Sequence, residues 1–341
     1  MRIFPLTGTR VIKTGVAIFL TAWVCNLLNW PPVFAVITAI VTLEPTVSDS
    51  IRKGIIRFPA SAIGSAYAVF FISLFGNSPI TYTLAAVFTI ATCYRFKLHA
   101  GLLVATLTAV AMIEVIHSNY LGNFFIRLGT TTIGLVVSTF VNFLILPPKY
   151  MKEIEHNIDG ICEKVGESIK QGFEAKLNHV HMEKHIYKRF EKIDKEIQKT
   201  ESLIRFQKDE SRLHPLVGSK KDEFARLQYK VEELRYIHSH LTNLIHAPLS
   251  PMSYSDEDKK IIRHAVHSLA QSMEKETNYH KEEYVKQSNK LMQLFWKVNY
   301  EIASEDMYQS TLLPPKLILL YELITLYELV QQFYEDKSNI T

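Results

Sequence analysis

The chain has 341 residues, 48% of them hydrophobic, with 38 Lys and Arg against 34 Asp and Glu and three cysteines. That length allows about two domains, and the charge divides them: nine basic and three acidic residues precede Pro147-Pro148, a net of +6, whereas 29 basic and 31 acidic residues follow it, a net of −2. The basic balance thus belongs to an apolar half, which argues against nucleic acid as a partner, and Cys25, Cys93 and Cys162 lack the C-x-x-C spacing of a metal site or redox pair and suggest no disulfide.

The N-terminus starts with Arg2 and Arg10 like a signal peptide, but its apolar run continues past signal length without a small-x-small cleavage site. The first segment is therefore read as a retained membrane helix. No Asp, Glu, Lys or Arg lies between Lys13 and Glu44 or between Arg57 and Arg95. Each stretch exceeds the roughly 20 residues that one helical span needs, so each is expected to hold two. The first divides at Asn29-Trp30-Pro31-Pro32, into spans over 11–28 and 31–47. The second divides at Gly76-Asn77-Ser78-Pro79, into 55–75 and 79–94. Further apolar runs place spans at 98–116 and 122–146. Lys and Arg in short loops stay on the cytoplasmic side. Arg10 and Lys13, Arg52 to Arg57, Arg95 and Lys97, and Lys149 and Lys152 alternate with connections near Asn29, Asn77 and Ser118-Asn119 that carry none. Both termini are predicted to be cytoplasmic, in a multi-pass protein of the cell membrane.

An offset of 70 residues aligns Ile37-Thr-Ala-Ile-Val-Thr-Leu-Glu44 with Leu107-Thr-Ala-Val-Ala-Met-Ile-Glu114, and Arg57-Phe-Pro-Ala-Ser-Ala-Ile-Gly64 with Arg127-Leu-Gly-Thr-Thr-Thr-Ile-Gly134. Three spans per copy make the second copy run the opposite way through the bilayer, the inverted arrangement in which transporter sites form near the midplane. Glu44 and Arg57 would then stand near one mouth of a pathway, and Glu114 and Arg127 near the other. Ala60, Gly64 and Ala68, like Thr130, Gly134 and Ser138, place small residues on one helix face. Such ridges serve helix packing in lipid, with lining of a substrate route as the alternative. Arg127 lies about two turns into its apolar segment: it either snorkels or pairs with Glu114 as a structural element, or meets an anion in transit. Arg57, beside Arg52 and Lys53, reads mainly as a determinant of topology.

After Tyr150 the chain becomes charged and helical. Ile154, Ile158, Ile161, Val165 and Ile169 form one stripe, and Phe224, Leu227, Val231, Leu234, Ile237, Leu241 and Leu244 another. Breaks at Leu213-His-Pro-Leu216, Ala247 to Met252 and Leu312-Leu-Pro-Pro315 predict four or five helices, the last over Lys316 to Tyr334 being a core helix that holds Glu322 and Glu328. His181 and His185 share a helix face but do not form H-E-x-x-H, and read as solvated surface along with His179, His238, His240, His264 and His267. No Walker loop, Rossmann glycine pattern or nucleophile elbow occurs, so no enzyme activity and no cofactor or metal is assigned.

Arg10-Val-Ile-Lys-Thr-Gly15, Glu44-Pro-Thr-Val-Ser-Asp-Ser-Ile-Arg-Lys-Gly54, Arg127 to Gly134 and Val141-Asn-Phe-Leu-Ile-Leu-Pro-Pro148 resemble the aromatic acid exporter family, within the wider fusaric acid resistance group, over residues 1 to about 150. Phe58-Pro59-Ala60 departs from the family's usual glycine-rich stretch there. The resemblance implies efflux of aromatic carboxylates or other small organic anions, and a homodimer with a cationic pathway. The expected fold is all-α: a six-helix transmembrane bundle built from an inverted three-helix repeat over 1–148, followed by a cytoplasmic helical bundle over 149–341. Candidate path residues are Arg57, Arg127, Glu44, Glu114, Gly64 and Gly134. An anion channel, or a membrane-anchored interaction or sensory module through which nothing passes, are the alternatives.

Overall fold

A computed structural model describes residues 8–115, 120–144, 150–178, 184–246, 254–304 and 314–335, and all regular structure among them is helical. The chain separates into two compact units: Met1–Pro148 with Lys208–Pro215, and Lys149–Gln207 with Leu216–Thr341. The breaks read at Pro147-Pro148, at Ser118-Asn119 and over 247–252 lie outside the described residues.

The N-terminal unit contains α1 (Thr9–Leu27), α2 (Val33–Thr42), α3 (Val47–Phe75), α4 (Pro79–Arg95), α5 (Leu102–Val115, preceded by a 3₁₀ turn at His99–Gly101) and α6 (Tyr120–Leu144). Local chemistry sets these limits. The α1 to α2 corner turns on Asn29 at φ +52°, and Pro31-Pro32 then delays the next helix to Val33. Pro45 holds the preceding backbone extended, so α2 stops at Thr42. Thr46 caps α3 by accepting from the Asp49 N–H at 3.1 Å, and Gly76 at φ +61° ends it. Ser78 caps α4, with Pro79 at its first position.

Three of these helices, α1, α3 and α6, are long and apolar enough to cross a membrane. Within the spans expected over 31–47 and 98–116 the helices are short: α2 has 10 residues and α5 has 14, or about 15 and 21 Å. Prolines bracket α2, and the 3₁₀ turn at His99–Gly101 takes up the start of the other run. In contrast, α3 starts eight residues before the expected 55 and carries Arg52, Lys53 and Arg57 within the helix. Large apolar side chains such as Phe19, Phe70, Leu103, Phe125 and Phe140 face outward. The interior is built from Ala, Ser, Thr and Gly, which let backbones approach closely where lipid supplies no hydrophobic drive. There α3 packs on α4, α5 and α6, while α2 packs on α1 and α6.

The second unit contains α7 (Tyr150–Leu177), most of α8 (Lys184–Glu210), α9 (Ser219–His246), α10 (Asp256–Glu274), α11 (Lys281–Ser304) and α12 (Pro315–Tyr334). These are six helices among the described residues, against the four or five expected. The stripe Ile154, Ile158, Ile161, Val165 and Ile169 of α7 is buried, as are Leu227 to Leu244 at the predicted spacing on α9, with Phe224 half-buried. Leu320, Leu323 and Leu326 place α12 in this core, and its buried Glu322 is satisfied by His240 Nδ1 at 2.7 Å. His179 and His181 lie outside the described residues, as does the side chain of His185.

Candidate functional site

The polar residues of the N-terminal unit collect at two ends of the α3–α5–α6 packing and along the seam between them. At one end, Glu44 leaves the last turn of α2 and meets the first turns of α3. Arg57 Nη2 donates to its Oε1 at 2.7 Å and Lys53 Nζ to its Oε2 at 2.8 Å, so one carboxylate serves two cations. Arg57 Nε also donates to the Ala100 carbonyl at 3.2 Å. Beside this group Lys13, buried in α1, donates to Asn142 Oδ1 at 2.9 Å, and Asn142 Nδ2 reaches the Glu44 carbonyl and Ser50 Oγ, each at 3.0 Å. The segment 208–215 folds into the same unit, where Glu210 accepts from the Val47 N–H at 3.2 Å at the start of α3.

Along the seam, Ser61 Oγ of α3 lies 3.2 Å from Thr131 Oγ1 of α6 and 3.4 Å from Thr108 Oγ1 of α5. Gly64 and Gly134 flank this hydroxyl cluster and permit it. A β-carbon on Gly64 would collide with the Ala105 carbonyl of α5, and one on Gly134 with the Ala35 carbonyl of α2. Ser61 and Thr131, Gly64 and Gly134, and Ala35 and Ala105 are each 70 residues apart.

At the other end the chemistry differs. Arg127 is 4% exposed, and its Nη2 donates to Thr108 Oγ1. Its Cζ stands 4.3 Å over the half-buried ring of Phe34, a cation–π contact, while Nε and Nη1 are buried without a partner among the described residues. Glu114 is exposed and accepts from the Tyr82 hydroxyl of α4. Glu44 thus pairs with Arg57, whereas the structural pair considered for Arg127 with Glu114 does not form. Snorkelling of Arg127 is also corrected, because its guanidinium is buried in the helix packing. A groove of about 480 Å³ between α3 and α6, lined by Val47, Ile51, Leu135, Phe140 and other largely apolar neighbours, contains neither arginine.

The sequence reading missed Phe34, Ser61, Thr108 and Thr131 as partners, and Lys13 and Asn142 as a buried pair. The hydroxyls lay inside the aligned blocks, but in an apolar helix Ser and Thr commonly bond the carbonyl one turn back, as Thr131 does to Arg127 at 2.9 Å. Nothing in one strand of sequence distinguishes that use from a contact across helices.

An all-helical chain with apolar helices, an interior of small and hydroxyl residues and a buried arginine defines an integral membrane protein with a polar seam. Residues 6–145 match the family model described as aromatic acid exporter family member 1. A UPF0421 protein of Oceanobacillus iheyensis is 48% identical over 340 residues, covering 98% of this chain and 97% of the relative. One from Bacillus cereus is 37% identical over 334 residues, 97% and 94% of the two chains, and one from Staphylococcus saprophyticus is 41% identical over 273 residues, 79% and 81%. Over nearly its whole length the chain belongs to the UPF0421 proteins, and its N-terminal part is similar to the aromatic acid exporter family.

Proposed function

We propose that the protein exports aromatic carboxylates or other small organic anions across the cell membrane, with both termini cytoplasmic, as a multi-pass homodimer in the lipid bilayer. The observation that carries this reading is Arg127: a buried guanidinium with a hydroxyl and a ring for company and, among the described residues, two nitrogens unpartnered and no carboxylate beside it. A structural arginine at that depth would be expected to hold a carboxylate, as Arg57 does. A planar guanidinium left without one is suited to an incoming carboxylate, and Phe34 offers a flat apolar face next to it. Supporting this, α2 and α5, at corresponding positions of the two aligned segments, are both short, a feature of transporters whose sites lie between inverted repeats. The contacts of Gly64 on Ala105 and of Gly134 on Ala35 support the same repeat.

The test is flux of a radiolabelled panel of carboxylates in proteoliposomes, with and without a proton gradient. Protein-dependent flux that follows the gradient, and is lost in Arg127→Ala, is expected; wild-type rates in Arg127→Ala and Arg57→Ala would overturn both assignments. Flux indifferent to the gradient would identify an anion channel or uncoupled carrier. The burial of Arg127 favours one second reading, a membrane-anchored interaction module, and an absence of flux across the panel with insertion verified would establish it over transport.

A further inference from the structure

We infer that Glu114 is the protein's own counter-ion for Arg127, held off it in this conformation by Tyr82 and exchanged with a transported carboxylate. The inference rests on the reading that Arg127 meets an anion in transit. Its starting point is an asymmetry. Glu44 and Arg57 are thirteen residues apart across a helix-to-helix turn and are paired at 2.7 Å. Glu114 and Arg127 have the same separation, in segments aligned with the first pair, and are not paired. Glu44 lies just past the end of α2, whereas Glu114 is still within α5, so the second pair closes only if Glu114 changes rotamer; in this conformation each partner is engaged elsewhere.

Those engagements differ in strength. Glu114 accepts from a neutral phenol at an exposed position, whereas Arg127 is buried with two nitrogens unsatisfied among the described residues. Thr108 and Glu114 are six residues apart on α5, about 9 Å along the axis and roughly 120° around it, so closing the pair requires both long side chains to swing toward each other. In a low-dielectric interior a buried cation attracts a carboxylate that can reach it strongly. Tyr82 on α4 supplies the competing hydrogen bond that keeps Glu114 outside. A substrate carboxylate on Arg127 leaves Glu114 with Tyr82; in the alternative conformation the Tyr82 bond is broken and Glu114 itself neutralises the site, so the two carboxylates compete for one guanidinium. Tyr82 and Glu114 are therefore positioning residues, acting through Arg127, and helix α4 is coupled to occupancy of the seam.

The test compares wild type, Tyr82→Phe, Glu114→Gln and the double variant as full-length protein in two measurements. One is the initial rate of benzoate transport in proteoliposomes as a function of concentration; the other is the midpoint of thermal unfolding in detergent. Tyr82→Phe frees Glu114, so the KM for benzoate should rise about tenfold and the unfolding midpoint should rise as the buried charge becomes paired. Both effects should disappear when Glu114→Gln is also present, because the amide carries no charge. Effects of Tyr82→Phe that are equal with and without Glu114→Gln, or absent, would overturn the inference. A coupled change in the unfolding midpoint with no benzoate flux in wild type would leave the internal pair standing and remove the exporter reading.

Discussion

Replacing Arg127 with methionine should abolish transport while making the protein more stable. The guanidinium is 4% exposed. Its favourable contacts are one charge-assisted bond to Thr108, worth about 1.5–3 kcal/mol, and the Phe34 ring, worth about 0.5–2 kcal/mol. Against them stand two buried nitrogens without a partner among the described residues, each costing about 1–3 kcal/mol, and the desolvation of a full charge, several kcal/mol more. The balance favours a neutral side chain of similar length by roughly 1–4 kcal/mol. Arg127→Met should therefore raise the thermal unfolding midpoint in detergent by several degrees, with proteoliposome flux falling to background. Arg127→Lys should keep the charge but not the planar fork, and retain part of the flux. A lowered midpoint in Arg127→Met, comparable to that of a core truncation, would refute the reasoning and make Arg127 a structural residue.

The close helix contacts predict that Gly64→Leu and Gly134→Leu each cost about 1–3 kcal/mol or more by overpacking, read as reduced detergent-resistant folded protein. Equal stability to wild type would show that α3 and α5, or α6 and α2, do not meet there. Asn142→Leu removes the bonding partner of buried Lys13 and should destabilise by about 1–3 kcal/mol, with most of the loss recovered in the double variant with Lys13→Met; additive losses would mean the two are not coupled. In the second unit, burial lowers the pKa of His238 below its ordinary 6.5, only partly opposed by its bond to the Phe190 carbonyl at 3.2 Å. The folded state thus binds that proton less readily than the unfolded state, so this group's contribution is full above the ordinary histidine value and lost as pH falls through the depressed one. The unfolding midpoint should drop on acidification from neutral pH, and His238→Gln, which keeps a donor without titrating, should flatten that drop.

Much of the architecture was legible along the chain because it is written in local chemistry. Uncharged runs too long for one helix, Pro31-Pro32, Gly76 and Ser78-Pro79 locate corners through backbone constraints that act within a few residues. The stripes on α7 and α9 show their buried faces by the 3.6-residue period alone. Glu44 and Arg57 could be placed at one mouth from sequence because the turn between them is short and Pro45 and Thr46 define it, but their ion pair was not read there. The shortness of α2 and α5 was less visible, since apolarity records what a segment can enter and not where its helix stops. What only the tertiary structure decided is which way the second pair turns. Arg127 and Glu114 repeat the residues and spacing of Arg57 and Glu44, yet Tyr82 of α4 and Thr108 and Phe34 of α5 and α2 take them apart. Identical spacing along the chain specifies what a side chain can reach; the choice among partners depends on helix rotation and on neighbours far away in sequence, and that is settled by packing.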